Sequence, residues 1–156
     1  MALETKSNLN KETIVGLQEL IRINIDSVKG FNEVANETKD KTIAVIFLEI
    51  GKERANHETE LQTFVAKNSD EPVQTGSLLG TMHRTWINLR ALINGNDSYL
   101  MLVEAERGED AIKQAYEKVL RATAGSAMND VLTRQYATIK SGHDRIRDLR
   151  DQLAPL

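Results

Sequence analysis

The sequence predicts an all-α chain folded as a four-helix bundle, and three observations predict it. Only two prolines, Pro72 and Pro155, interrupt 156 residues. The long segments between breakers repeat apolar residues three and four apart, the spacing of one face of a helix, rather than alternating as strands do. The breaks are short except for one polar stretch, residues 68–76, so the helices are joined by tight turns and one longer crossover. With 40% hydrophobic residues, a chain of this length buries roughly two thirds of its unfolded surface. Residues 1–156 are therefore expected to form a single domain with its core over about 8–153.

The first helix begins near Asn8 or Asn10, either of which can cap, with Leu17, Leu20, Ile21, Val28, Phe31 and Ala35 on its inward stripe. Asn36 to Asp40 breaks it, and Asp40 is the expected N-cap of the second helix. That helix carries Ile43, Phe47, Ile50, Arg54, His57, Leu61 and Phe64 inward and ends near Lys67. After the loop containing Pro72 and Gly76, a third helix starts near Ser77 with Leu78, Met82, Trp86, Leu89 and Ile93 inward. Asn94-Gly95-Asn96-Asp97 kinks or breaks it, and it resumes from an Asp97 cap with Leu100, Val103, Glu104, Ala111, Ala115 and Val119 on the inward stripe. Beyond Ala124-Gly125 the fourth helix spans about Ser126 to Gln152, with Val131, Leu132, Ile139, Ile146 and Leu149 inward.

Composition excludes several functions. A net charge of −3 argues against a polyanion-binding surface, which needs clustered Lys and Arg, and 4% aromatic residues leave no stacking platform for single strands. No nucleic-acid partner is expected. The absence of cysteine removes thiolate metal sites, cysteine nucleophiles and thiol switches. No apolar run of 18 residues is present, so no membrane partner is expected and a cytoplasmic location is. Gly76-x-x-x-Gly80 lacks the strand and the following Lys-Ser/Thr of a phosphate-binding loop. No Ser-His-Asp arrangement is recognisable, so no catalytic residue is assigned and an enzyme is not the expected reading.

Gly76-Ser77-Leu78-Leu79-Gly80, then His83-Arg84-Thr85-Trp86, Glu104-Ala105-Glu106-Arg107-Gly108-Glu109-Asp110 with Tyr116, and Gln135-Tyr136 with His143-Asp144 together resemble a bacterial four-helix-bundle family of unknown function within the ferritin-like superfamily. The resemblance spans roughly residues 8–150. It implies a ferritin-like fold and a stress or storage setting, without implying an activity, so the expected architecture is a ferritin-like four-helix bundle whose third helix is kinked or broken at Asn94-Gly95-Asn96-Asp97.

Ferritin-like di-iron bundles draw their ligands from a Glu on each of two helices and a Glu-x-x-His pair on each of the other two. By stripe and spacing this sequence offers Asn24, Arg54-x-x-His57, Glu104 and Lys140-x-x-His143. Three carboxylates are missing and two are replaced by cations, of which Arg stays charged at any ordinary pH and repels a divalent ion. The expected reading is a degenerate di-iron site holding no cofactor, with Asn24, Arg54, His57, Glu104 and His143 as a buried polar cluster. Arg54 is expected to pair with Glu104 across the interior, since neither charge is cheaply buried alone. The rival reading is a metal-binding protein or oxidase holding Fe, Mn or Zn in a residual mononuclear site of His57 and His143 with Glu53, Glu58 or Glu104. Glu106 to Asp110 reads as a solvated face, His83 and Arg84 as a boundary face, and Tyr99, Tyr116 and Tyr136 as core-edge residues rather than redox groups. Ile25, Val45, Leu48 and Leu102, outside the stripes, mark an association surface for a homodimer, with a further protein partner unidentified.

Overall fold

The computed structural model describes residues 3–76, 81–93, 95 and 97–155, and the described chain is all-helical. Five helices follow in order: α1 (Lys11–Glu37), α2 (Lys41–Lys67), α3 (Thr81–Ile93), α4 (Ser98–Ala122) and α5 (Asn129–Leu153). The interrupted third helix of the sequence reading is two helices, α3 and α4, and the last helix starts at Asn129 rather than Ser126. α1 packs along α2 and α4 along α5, while α1 meets α4 and α2 meets α5. The short α3 lies against α1 and α4. No described helix is long and apolar enough to cross a membrane.

The helix starts follow local chemistry. Asp40 caps α2 by accepting from the Ile43 N–H at 3.1 Å, and Asp97 caps α4 through the Leu100 N–H at 3.1 Å. Asn10 occupies the N-cap of α1 but makes no side-chain cap bond. Glu4 replaces it, its Oε2 accepting from Asn10 N at 2.9 Å and Thr13 Oγ1 at 2.8 Å. The other Glu4 oxygen accepts from Ser126 Oγ and Ala127 N, which ties the N-terminal segment to the α4–α5 turn. These bonds outweigh its desolvation and hold the Glu4 carboxyl down at about 2. Gly125 takes φ +79 in that turn, a conformation side-chain-bearing residues rarely adopt.

An aromatic column joins α3, α1 and α2. The Trp86 ring meets Phe31 edge-on at 4.7 Å, and Phe31 meets Phe47 edge-on at 5.1 Å. Trp86 lies against the Cα of Gly30, where any Cβ would collide with the indole. The expected inward residues of α1 and α2 are buried apart from Val28 and Phe64, which are half-buried; Val65 takes the inward position beside Phe64. Leu78 and the side chains of Met82 and His83 lie outside the described residues, and Arg84 is exposed.

α4 departs from its expected register. Its buried line is Met101, Leu102, Glu104, Ala105, Gly108, Glu109, Ile112, Tyr116 and Val119, whereas Leu100 is 43% exposed and Ala111 and Ala115 are half-buried. The cause is packing on three sides, by α1, α3 and α5, which widens the buried arc. Leu102, expected on an association surface, is fully buried, and Ile25 is half-buried. Val45 and Leu48 remain exposed on the outer side of α2.

Candidate functional site

The fully buried Arg54 of α2 donates through Nη2 to Oε2 of Glu109 on α4, also fully buried. Gly142 on α5 makes the room for this pair: a Cβ there would stand 3.2 Å from both Arg54 Nη2 and Glu109 Oε2. Glu53 is a looser neighbour, its carboxylate 3.8 Å from Arg54 Nη1. Burial pushes the Glu109 carboxyl above the usual carboxylate range, while Arg54 beside it and the more distant His143 pull the other way.

Beside the pair, a chain of hydrogen bonds links all four long helices. Asn24 of α1 donates to Leu20 O at 2.8 Å and to Tyr116 Oη of α4 at 2.9 Å. Tyr116 donates to Gln135 Oε1 of α5 at 2.7 Å, and Gln135 Nε2 donates to Glu60 Oε1 of α2 at 2.7 Å. Arg134 holds the second Glu60 oxygen at 2.7 Å. Against a desolvation that raises it, Arg134 and Gln135 bring the Glu60 carboxyl below its ordinary value. Tyr116, wholly buried, has its phenol pushed up by that burial. His57 lies in the same field: burial and then Arg54 drive its imidazole down to about 4, so it is neutral at pH 7.

A second polar group sits at the rim where α4 meets α5. His143 Nε2 is 2.9 Å from Asp110 Oδ1 and 3.5 Å from Glu106 Oε1, and its Nδ1 is 3.2 Å from Asp144 Oδ1. Arg150 holds the other oxygen of Glu106, and Arg147 pairs with Asp144. Among the described residues, Glu106, Asp110 and His143 are the one group of three metal-ligating side chains whose ligand atoms converge, all within 4.8 Å of one another.

The expected five-residue cluster is thus divided among separate settings. Asn24, Arg54, His57, Glu104 and His143 are all buried, but Arg54 pairs with Glu109 rather than with Glu104. Glu104 turns to Asn88 at 3.2 Å and Arg107 at 3.3 Å, because the shifted register of α4 aims it toward α3. The run from Glu106 to Asp110 is a solvated face only in part: Arg107 is exposed and Asp110 half exposed, but Gly108 and Glu109 are buried, and Glu106 and Asp110 face His143. Tyr116 belongs to the core itself, whereas Tyr99 and Tyr136 are half-buried. Lys140 is exposed and His57 stands outside the converging group. Glu109 was detectable in the sequence, since Ala105, Ile112 and Tyr116 lie four before, three after and seven after it on one helix face.

The interior donor set does not fit the two metals that the ferritin-like resemblance implies. A guanidinium is a permanent cation with no lone pair to give, and it already holds the central carboxylate. Curated proteins provide no match to the chain. A family model described as a domain of unknown function (DUF2383) matches residues 12–122, which takes in Arg54, His57, Glu109 and Tyr116, and the chain belongs to that family.

Proposed function

We propose that this chain is a non-enzymatic helical bundle of the ferritin-like type, metal-free in its interior, that acts through protein contacts. The observation that carries this reading is the Arg54–Glu109 pair at the centre, where a metalloprotein would need acidic ligands without a competing cation. The hydrogen-bond chain from Asn24 to Arg134 supports it, because it engages interior polar groups of all four long helices with one another. A bacterial stress or storage role rests on the family resemblance alone. Self-association as a homodimer is supported by Val45 and Leu48, 55% and 45% exposed one helical turn apart on α2.

Elemental analysis of protein purified without chelator, followed by iron, manganese and zinc titration of wild type and His57→Gln, tests the metal-free interior. The expected result is no metal whose uptake depends on His57. Stoichiometric tight binding lost in His57→Gln would overturn it. Sedimentation at micromolar protein tests the contact surface, a dimer mass being expected and a concentration-independent monomer mass contradicting it.

A further inference from the structure

The imidazole of His143 is bracketed by carboxylates. Nδ1 faces Asp144, and Nε2 faces both Asp110 and Glu106. A neutral imidazole carries one N–H and one lone pair. In that neutral ring, whichever nitrogen holds the proton, the other directs a lone pair at carboxylate oxygens, an arrangement that either a second proton or a metal ion between them relieves. If Nδ1 donates to Asp144, the open nitrogen is Nε2, which has two carboxylates converging on it from one helix face, since Glu106 and Asp110 are four residues apart on α4.

The spacing suits a metal ion. Two ligand atoms each about 2.0–2.1 Å from a tetrahedral zinc stand about 3.3 Å apart. The separations from His143 Nε2 are 2.9 Å to Asp110 and 3.5 Å to Glu106. The Asp144 contact to Nδ1 is the outer carboxylate that orients a metal-bound histidine and raises its basicity. Arg150 neutralises part of the charge through Glu106 Oε2, yet leaves Oε1 turned toward His143. Entry is open from solvent, because the Asp110 side chain is 50% exposed.

We infer that Glu106, Asp110 and His143 form a mononuclear site for a borderline divalent cation, Zn²⁺ foremost, at the α4–α5 rim. One imidazole nitrogen with two carboxylate oxygens, completed by water, fits zinc better than the all-oxygen preference of calcium or magnesium, and the stability order of divalent ions places zinc above manganese and iron. This site is separate from the interior, so it stands or falls apart from the proposal above.

The test is calorimetric titration of the chelator-stripped full chain with Zn²⁺ at pH 7.5, with Co²⁺ as a visible probe of coordination. One equivalent per chain with a micromolar or tighter Kd is expected. Asp110→Asn and His143→Gln should each weaken it about tenfold or more, while His57→Gln leaves it unchanged. Asp110→Asn alters a half-exposed side chain and keeps the test decisive if His143→Gln fails to fold. No saturable uptake up to millimolar zinc, or equal binding by wild type and Asp110→Asn, would overturn the inference.

Discussion

Glu109 and Asp110 are neighbours in sequence and opposites in situation. Glu109 is wholly enclosed and bound to Arg54, whereas the Asp110 side chain is half exposed and faces His143. Consecutive residues on a helix point about 100° apart, so a single step carries a carboxylate from core to rim. Inside, its counter-ion must be built into the fold, because an unpaired charge out of water costs several kcal/mol. At the rim, water shares that burden and the counter-ion can be exchanged. The interior acid is thereby committed to structure, and the rim acid stays available for binding.

The largest separation of the two regions should appear on removing Arg54. Arg54→Met leaves Glu109 buried without its cation and should cost about 3–5 kcal/mol in denaturant unfolding. A loss below about 1 kcal/mol would mean that the interior is wetter than its burial indicates.

Next in size is a pH effect that belongs to the interior alone. The His57 imidazole sits near 4 in the fold against 6.5 when unfolded. The unfolded chain therefore takes up this proton first as pH falls. The contribution of neutral His57 is complete above about 6.5 and is lost as pH drops toward 4, by on the order of 2–3 kcal/mol. His57→Gln should flatten the stability profile in that window. An unchanged slope would place His57 in contact with solvent.

The smallest effect should come from the rim. Asp110→Asn is expected to shift stability by less than about 0.5 kcal/mol, as for an exposed ion pair. A cost comparable to that of Arg54→Met would erase the distinction between neighbouring acids.

The residues explain which parts of this arrangement could be read beforehand. α1 and α2 carry large apolar side chains at helical spacing, such as Leu17, Leu20, Ile43 and Phe47, and Asp40 and Asp97 announce their helices by cap chemistry. Arg54 on an inward stripe was enough to foresee a buried ion pair. The identity of its partner was legible only by choosing between two faces of α4, since Glu109 shares one with Met101, Ala105 and Ile112 while Leu100, Ala111 and Ala115 lie along another, and small residues discriminate poorly between them. Glu109 was further disguised by Glu106, Arg107 and Asp110 around it. The gap that Gly142 leaves for the pair, and the approach of His143 to Asp110, depend on how α5 sits against α2 and α4, a tertiary register that no local pattern encodes.

Whether the bundle centre is held by a direct Arg54–Glu109 interaction is tested most directly by a double-mutant cycle over Arg54→Met and Glu109→Leu, measured by equilibrium unfolding at pH 7. The expected result is two costly single variants and a double variant much milder than their sum, with a coupling of at least about 1 kcal/mol. Additive single effects, within about 0.3–0.5 kcal/mol, would contradict the pairing.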